Sequence, residues 1–375
     1  MDMTMSDSNC RLLPQTRVAS IDALRGFDMF WIIGGGAFFE TLPKVWKNHF
    51  TETIKQQMEH VPWQGFRFED LIFPLFLFIV GVVLPFSTSR RLQQGLSPKA
   101  LRLHIIKRAA ILILLGLILN GLLQFNLADM RWPGVLQRIG LCYLFAALLV
   151  IHTGWLIQSL VAGGLLLGYW ALVMFVPVPG SGVGVLTPEG CLPAYIDRLL
   201  VPGRFCCFAF GDNEGLLSTI PAVSTVLIGA LAGRWLCSSA SGNLKTVALV
   251  IAGVVCLIIG YLWGLSFPII KVIWTSSYVL YAAGWSLLLL AAFYWVIDVR
   301  GYKKWAFFFV VIGVNPITIY FLQGFVNFDD IAAFFVRGLA QHTGQLSLLI
   351  LPLAAFAAKW LLLLFLYRHK IFFKI

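Results

Sequence analysis

The stretch His60-Val-Pro-Trp-Gln-Gly-Phe-Arg-Phe-Glu-Asp70-Leu-Ile-Phe-Pro74 leads into a run from Leu71 to Phe86 that carries no charge. That run is apolar enough to enter a bilayer, which needs about 20 mostly apolar residues per helix. Pro62 and Gly65 keep the segment around His60 out of a helix. An imidazole and a carboxylate therefore stand at a membrane–water boundary, at the mouth of a hydrophobic bundle. His60 and Asp70 are the candidate reactive pair, with Trp63 beside them.

Composition agrees with a membrane fold. Of 375 residues, 59% are hydrophobic and 12% are charged, where soluble domains carry about 25% charged residues. Mean hydropathy is +0.85. The expectation is an all-α polytopic membrane protein. The net charge of +11 then belongs to basic loops facing anionic lipid. Nucleic acid is excluded as a partner, because no Lys/Arg stripe on a soluble surface is present. No CxxC or HExxH pattern supports a metal site. Cys191, Cys206 and Cys207 share one long loop, where a disulfide from Cys191 to one of the pair and free thiols both stay open.

Working outward from Leu71, ten stretches read as spans: 21–39, 69–87, 105–124, 134–152, 155–175, 216–237, 245–264, 277–298, 304–325 and 346–367. Residues 1–20 form a polar tail taken as cytoplasmic, and 21–375 a single integral domain. No small-residue cleavage site follows the first span, so it is read as uncleaved. With both termini inside, inner segments hold sixteen Lys and Arg and outer segments nine. The densest basic loops, Arg90 to Arg108 among them, are all inside. This bias predicts an N-in, C-in topology with His60 and the 176–215 loop outside the cytoplasm.

Polar residues inside spans are costly and therefore candidate functional groups. Asp22 and Arg25 share a helix face and can pair, while Asp28 lies deeper. Gly34-Gly35-Gly36 allows either close helix contact or an unwound segment. Trp132-Pro-Gly-Val-Leu-Gln137-Arg138 opens the fourth span. Arg138 needs a partner, either Asp28 or Asp70 or a ligand phosphate or carbonyl. Asp212 and Glu214 either cap the sixth span or hold a cationic amino group. Asn315-Pro316 breaks the ninth span, and Asn315 can satisfy the freed backbone or face a ligand. Lys359 is expected to snorkel inward.

These segments together resemble the transmembrane heparan-alpha-glucosaminide N-acetyltransferase family, including bacterial relatives. The resemblance covers nearly all of 17–325. It rests on Ser20-Ile-Asp22-Ala-Leu-Arg25-Gly26, Gly34–Gly36, His60 to Pro74, Arg131-Trp-Pro-Gly-Val-Leu-Gln137-Arg138, Glu214-Gly-Leu-Leu-Ser-Thr219 and Asn315. It implies transfer of acetyl from cytosolic acetyl-CoA to the amino group of a glucosamine-type sugar across the membrane. His60 then corresponds to the active histidine, acting as general base or acetyl carrier, with Asp70 orienting it.

On that reading Arg108, with Lys107, holds a phosphate of the donor. Arg138 and Asn315 contact the acyl end, and Asp212, Glu214, Trp63 and Arg131 belong to the acceptor side. Asp28 and Gln323 depart from the lysosomal members, which carry an apolar residue and a histidine there. The chain also lacks their large soluble extension. A bacterial inner membrane with His60 on the periplasmic side is expected, and a homodimer is compatible. The rival readings are a secondary transporter for sugars and an O-acyltransferase acting on envelope polysaccharide.

Overall fold

The computed structural model describes residues 18–372, so most of the proposed N-terminal tail lies outside the described residues. The fold is a helical bundle. Helix α1 (Ala19–Phe30) passes through a π-turn at Trp31–Gly35 into α2 (Gly36–Val45), and α3 (His49–Gln57) lies across the end. The central helix is α4 (Glu69–Gln93), followed by α5 (Pro98–Leu119), α6 (Val135–His152) and α7 (Trp155–Phe175). A long loop carries α8 (Leu192–Leu200) and a two-residue antiparallel pair, β1 (Cys207–Phe208) and β2 (Gly211–Asp212). Then come α9 (Thr219–Leu236), α10 (Gly242–Gly264), α11 (Ser276–Tyr294), α12 (Phe307–Gly313), α13 (Pro316–Leu322), α14 (Phe328–Gln341) and α15 (Ser347–Arg368).

Seven of these helices are long and apolar enough to cross a membrane: α4, α6, α7, α9, α10, α11 with its π-turn extension to Val299, and α15. The chain is thus an integral membrane protein. The other three stretches expected to span are helical but differ in kind. The first is broken at Gly34, whose φ of 110° only glycine adopts readily. The third, α5, carries Arg102, Lys107 and Arg108. The ninth is split into α12 and α13 at Asn315-Pro316, where Pro316 removes a backbone donor.

Glycine sets the closest helix contacts. A Cβ on Gly81 of α4 would lie 2.0 Å from the Val226 carbonyl oxygen of α9, and one on Gly229 would lie 2.1 Å from that of Phe78. Gly26 and Gly313 bring α1 and α12 together in the same manner. Small residues let backbones meet where lipid offers no hydrophobic drive for association. Around α4 the core closes with Leu75, Leu77, Phe78 and Ile79, all buried. By contrast α10 turns Val247, Ile251, Val254 and Ile258 outward, the pattern of a lipid-facing surface.

One expectation is corrected, and one pair of open alternatives is resolved. Lys359 does not reach inward to the aqueous edge. Its Nζ donates to the Ile33 carbonyl at 2.7 Å, satisfying an oxygen beside the Gly34 break. Cys191 is a fully buried free thiol, its pKa pushed up to about 11 mainly by that burial.

Candidate active site

The His60 loop is held by backbone pairing. Gly65 N–H donates to the Ile269 carbonyl at 2.9 Å, and Gln64 bridges Ile270. Gly65 has a φ of 127°, which permits the turn. Trp63 Nε1 donates to the Leu186 carbonyl at 2.8 Å, fastening the loop to the 176–215 segment. The strap from Ile269 onward therefore delivers Lys271 to His60.

His60 Nδ1 lies 3.0 Å from Asp70 Oδ1, and Lys271 Nζ lies 3.0 Å from His60 Nδ1 and 3.4 Å from Asp70 Oδ1. Asp70 is not a plain helix cap. It is the second residue of α4, its side chain is 1% exposed, and Oδ2 accepts from the N–H groups of Val61 at 3.3 Å and Arg67 at 3.1 Å. The Asp70 carbonyl accepts from Tyr278 Oη at 2.7 Å. The His60 side chain is 55% exposed. With Nδ1–H donated to the carboxylate, Nε2 is left as the acceptor on the open side. Burial holds Lys271 below the usual lysine range, although Asp70 and Glu69 pull it back up. Lys271 was legible in sequence only as one basic loop residue. Nothing in its local sequence signals a partner 211 positions away.

One turn further on, Trp274 adopts a φ of 53° and its ring lies 4.8 Å from the Arg138 guanidinium. Arg138 is 1% exposed. It pairs with neither Asp28 nor Asp70. Nη2 donates to the Ser218 hydroxyl and the Gly215 carbonyl, whereas Nε and Nη1 have no partner among the described residues. Buried donors are nearly always satisfied, so two open ones on a cation are unusual.

Arg131, Asp212 and Glu214 meet one another. Arg131 Nε and Nη2 hold Asp212 at 2.8 and 2.6 Å, and Nη2 also donates to Glu214. Burial opposes the Arg131 charge, but the Asp212 hydrogen bond and both carboxylates raise its pKa further above the ordinary arginine value. Burial likewise opposes the charge on Asp212. Arg131 and the N–H groups of Glu214 and Cys206 outweigh it and hold the carboxyl below its usual range. This cluster fastens the loop between α7 and α9.

The candidates for the donor site divide. Arg108, Arg25, Pro316 and Ile317 line a narrow cleft of about 50 Å³ with Phe76, Ile79, Val83 and Ser87 of α4. Arg108 Nε has no partner among the described residues, and its guanidinium sits 4.6 Å from the Tyr143 ring. Lys107 is exposed and does not line this cleft. Asn315 is buried and donates to the Ile371 carbonyl at 3.0 Å, beside the cleft and apart from His60. At 1.5 Å per residue, the α4 residues of the cleft begin about 9 Å from Asp70 and end about 26 Å from it.

Fold and site define a polytopic membrane protein with a His–Asp–Lys cluster at one end of its central helix and an arginine-lined cleft further along it. The family model for the catalytic part of heparan-alpha-glucosaminide N-acetyltransferase matches residues 17–263. The human and mouse proteins named heparan-alpha-glucosaminide N-acetyltransferase are each 28% identical to it, across 96% of the chain. The chain spans 60% of the human relative and 62% of the mouse one. It belongs to the heparan-alpha-glucosaminide N-acetyltransferase family.

Proposed function

We propose that this chain is an acetyl-CoA-dependent N-acetyltransferase acting on an amino sugar of the glucosamine type. The observation that carries this reading is the line along α4, with Arg108 and Arg25 in the wall of the cleft and His60, Asp70 and Lys271 at the head of the helix. The donor's phosphates would meet Arg108 and Arg25, with the pantetheine arm lying along α4. A guanidinium with an open Nε suits a phosphate oxygen. At about 50 Å³ the cleft must widen for that arm. The Asn315-Pro316 break, which contributes Pro316 and Ile317 to the wall, is the segment able to move.

A thioester is already activated, so the protein's work is positioning and proton removal. The acceptor nitrogen bonds to the carbonyl carbon, and His60 Nε2 takes the nitrogen's proton. The C–S bond breaks, and the thiolate leaves and recovers a proton as free thiol. Asp70 holds the imidazole with Nδ1–H toward itself and Nε2 outward. Lys271 and the open donors of Arg138 face the region where negative charge develops on the carbonyl oxygen. The direction follows from the basic bias of the loops, which supports N-in, C-in with the donor on the cytoplasmic face and His60 outside.

Purified protein given radiolabelled acetyl-CoA and glucosamine is expected to place label in an amide. Label in an ester would favour the polysaccharide O-acyltransferase reading. Sugar uptake without transfer would favour the transporter.

A further inference from the structure

The mechanism above leaves two buried carboxylates of α1 unused, Asp22, which pairs with Arg25, and Asp28. Asp28 is 0% exposed, and neither carboxyl oxygen has a hydrogen-bond partner among the described residues. An ionised carboxylate taken out of water without a partner is strongly unfavourable. Such a group either keeps its proton and stays neutral or is met by a cation, and a cationic ligand is what would draw out its charge.

Its position is fixed by ring contacts. Trp31 packs on Phe68 with centroids 4.8 Å apart, and α1 and α4 run antiparallel beside each other. Asp28, three residues before Trp31, therefore sits level with Leu71, next to Asp70 in sequence. On α1 it shares a face with Arg25, three residues away, which lines the cleft. Asp28 thus lies above the inner cleft and below the His60 mouth. Glu69 is close enough for its charge to act on Asp28, and Glu69 itself feels His60 and Lys271. Trp31 Nε1 is a second buried polar atom with no partner among the described residues.

We infer that Asp28 and Glu69, near the Trp31–Phe68 ring pair, form the subsite that receives the protonated amino group of the acceptor sugar; the ammonium passes one proton to the Asp28 carboxylate there, which frees the nitrogen lone pair for attack, and His60 takes the second. The inference rests on the acetyltransferase reading and deepens it. A buried carboxylate beside a second one attracts a cation. A nearby aromatic pair suits an organic ammonium, whereas a hard metal ion would require many oxygen ligands. The open Trp31 N–H is available to a sugar hydroxyl.

The test is equilibrium binding of radiolabelled glucosamine and glucose to the purified full chain, at about pH 6, where amines are protonated. The wild type should favour glucosamine by about tenfold or more, the scale of a charge-assisted hydrogen bond. Asp28→Asn should bring glucosamine down to the glucose level, with a melting temperature equal to or above that of the wild type. Asp28→Glu should keep the preference, and Glu69→Gln should reduce it about threefold. An undiminished preference in Asp28→Asn, or none in the wild type, overturns the subsite. A wild type that makes the amide while Asp28→Asn keeps its preference removes the subsite and leaves the acetyltransferase reading intact. A wild type that binds selectively but transfers nothing removes that reading and leaves the subsite.

Discussion

Two clusters at the same end of the molecule pair carboxylates with cations, and they are built for different ends. Around Asp212 every acceptor is engaged, by Arg131 twice and by the N–H groups of Cys206 and Glu214. Around Asp70 the carboxylate is buried and well bonded, but it serves a histidine whose side chain is more than half exposed. The first cluster completes its own hydrogen bonding and makes a loop rigid. The second ends in an atom, His60 Nε2, that lies 3.5 Å from the Lys271 ammonium, its one neighbour in hydrogen-bonding range among the described residues. Satisfaction of polar groups, more than charge alone, separates a fastening from a reactive centre.

The comparison breaks first at His60. His60→Ala should lower acetyl transfer by about 10²- to 10⁴-fold while the protein still inserts and binds coenzyme A. Wild-type turnover in that variant would move the reactive centre elsewhere. Next in size is Arg131→Ala, which strands a buried Asp212. A loss of about 3–5 kcal/mol is expected, read as a fall in the melting temperature of the detergent-solubilised protein.

Acid sharpens the same point. Because the folded Asp212 carboxyl titrates below its unfolded value, its contribution is complete above the ordinary carboxylate range and disappears as pH falls through the folded pKa. The melting temperature should drop in that window, and Arg131→Ala should remove that part of the drop. Gly81→Ala forces a methyl to within 2.0 Å of the Val226 carbonyl oxygen and should cost about 1–3 kcal/mol through displacement of α4 from α9. Smallest is Lys271→Gln. Folding depresses the lysine pKa, so the unfolded chain holds the proton more firmly and stability rises with pH just below the ordinary lysine range. A titration of melting temperature should show that rise in the wild type and lose it in the variant.

The bundle was legible because a bilayer writes its demands locally, as uninterrupted apolar runs. His60 with Asp70 was legible because Pro62 and Gly65 mark a loop directly before such a run, and the Asp22–Arg25 pair because its members are one turn apart. Partnerships formed by tertiary contact were not. Lys271 reaches His60 only because the strap at Ile269 pairs with Gly65. Arg131 engages the acidic pair from another loop, so Asp212 and Glu214 read in sequence as open to a cationic ligand. Arg138 stayed open in sequence between a carboxylate and a ligand, and it lies against the Trp274 ring. The broken first helix was hinted at by three glycines, but its partner Lys359 was 326 positions away.

That last contact bears on how the molecule is made. Lys359 of α15 closes onto the Ile33 carbonyl, Phe356 meets the Phe30 ring at 5.0 Å, and Asn315 holds the chain at Ile371. Helix α1 therefore waits for α15, made some 326 positions later, before its kink is stitched. The bundle closes like a ring with a late clasp, and the gap between α1 and α4, where donor and acceptor would meet, takes its final shape only once α15 has docked.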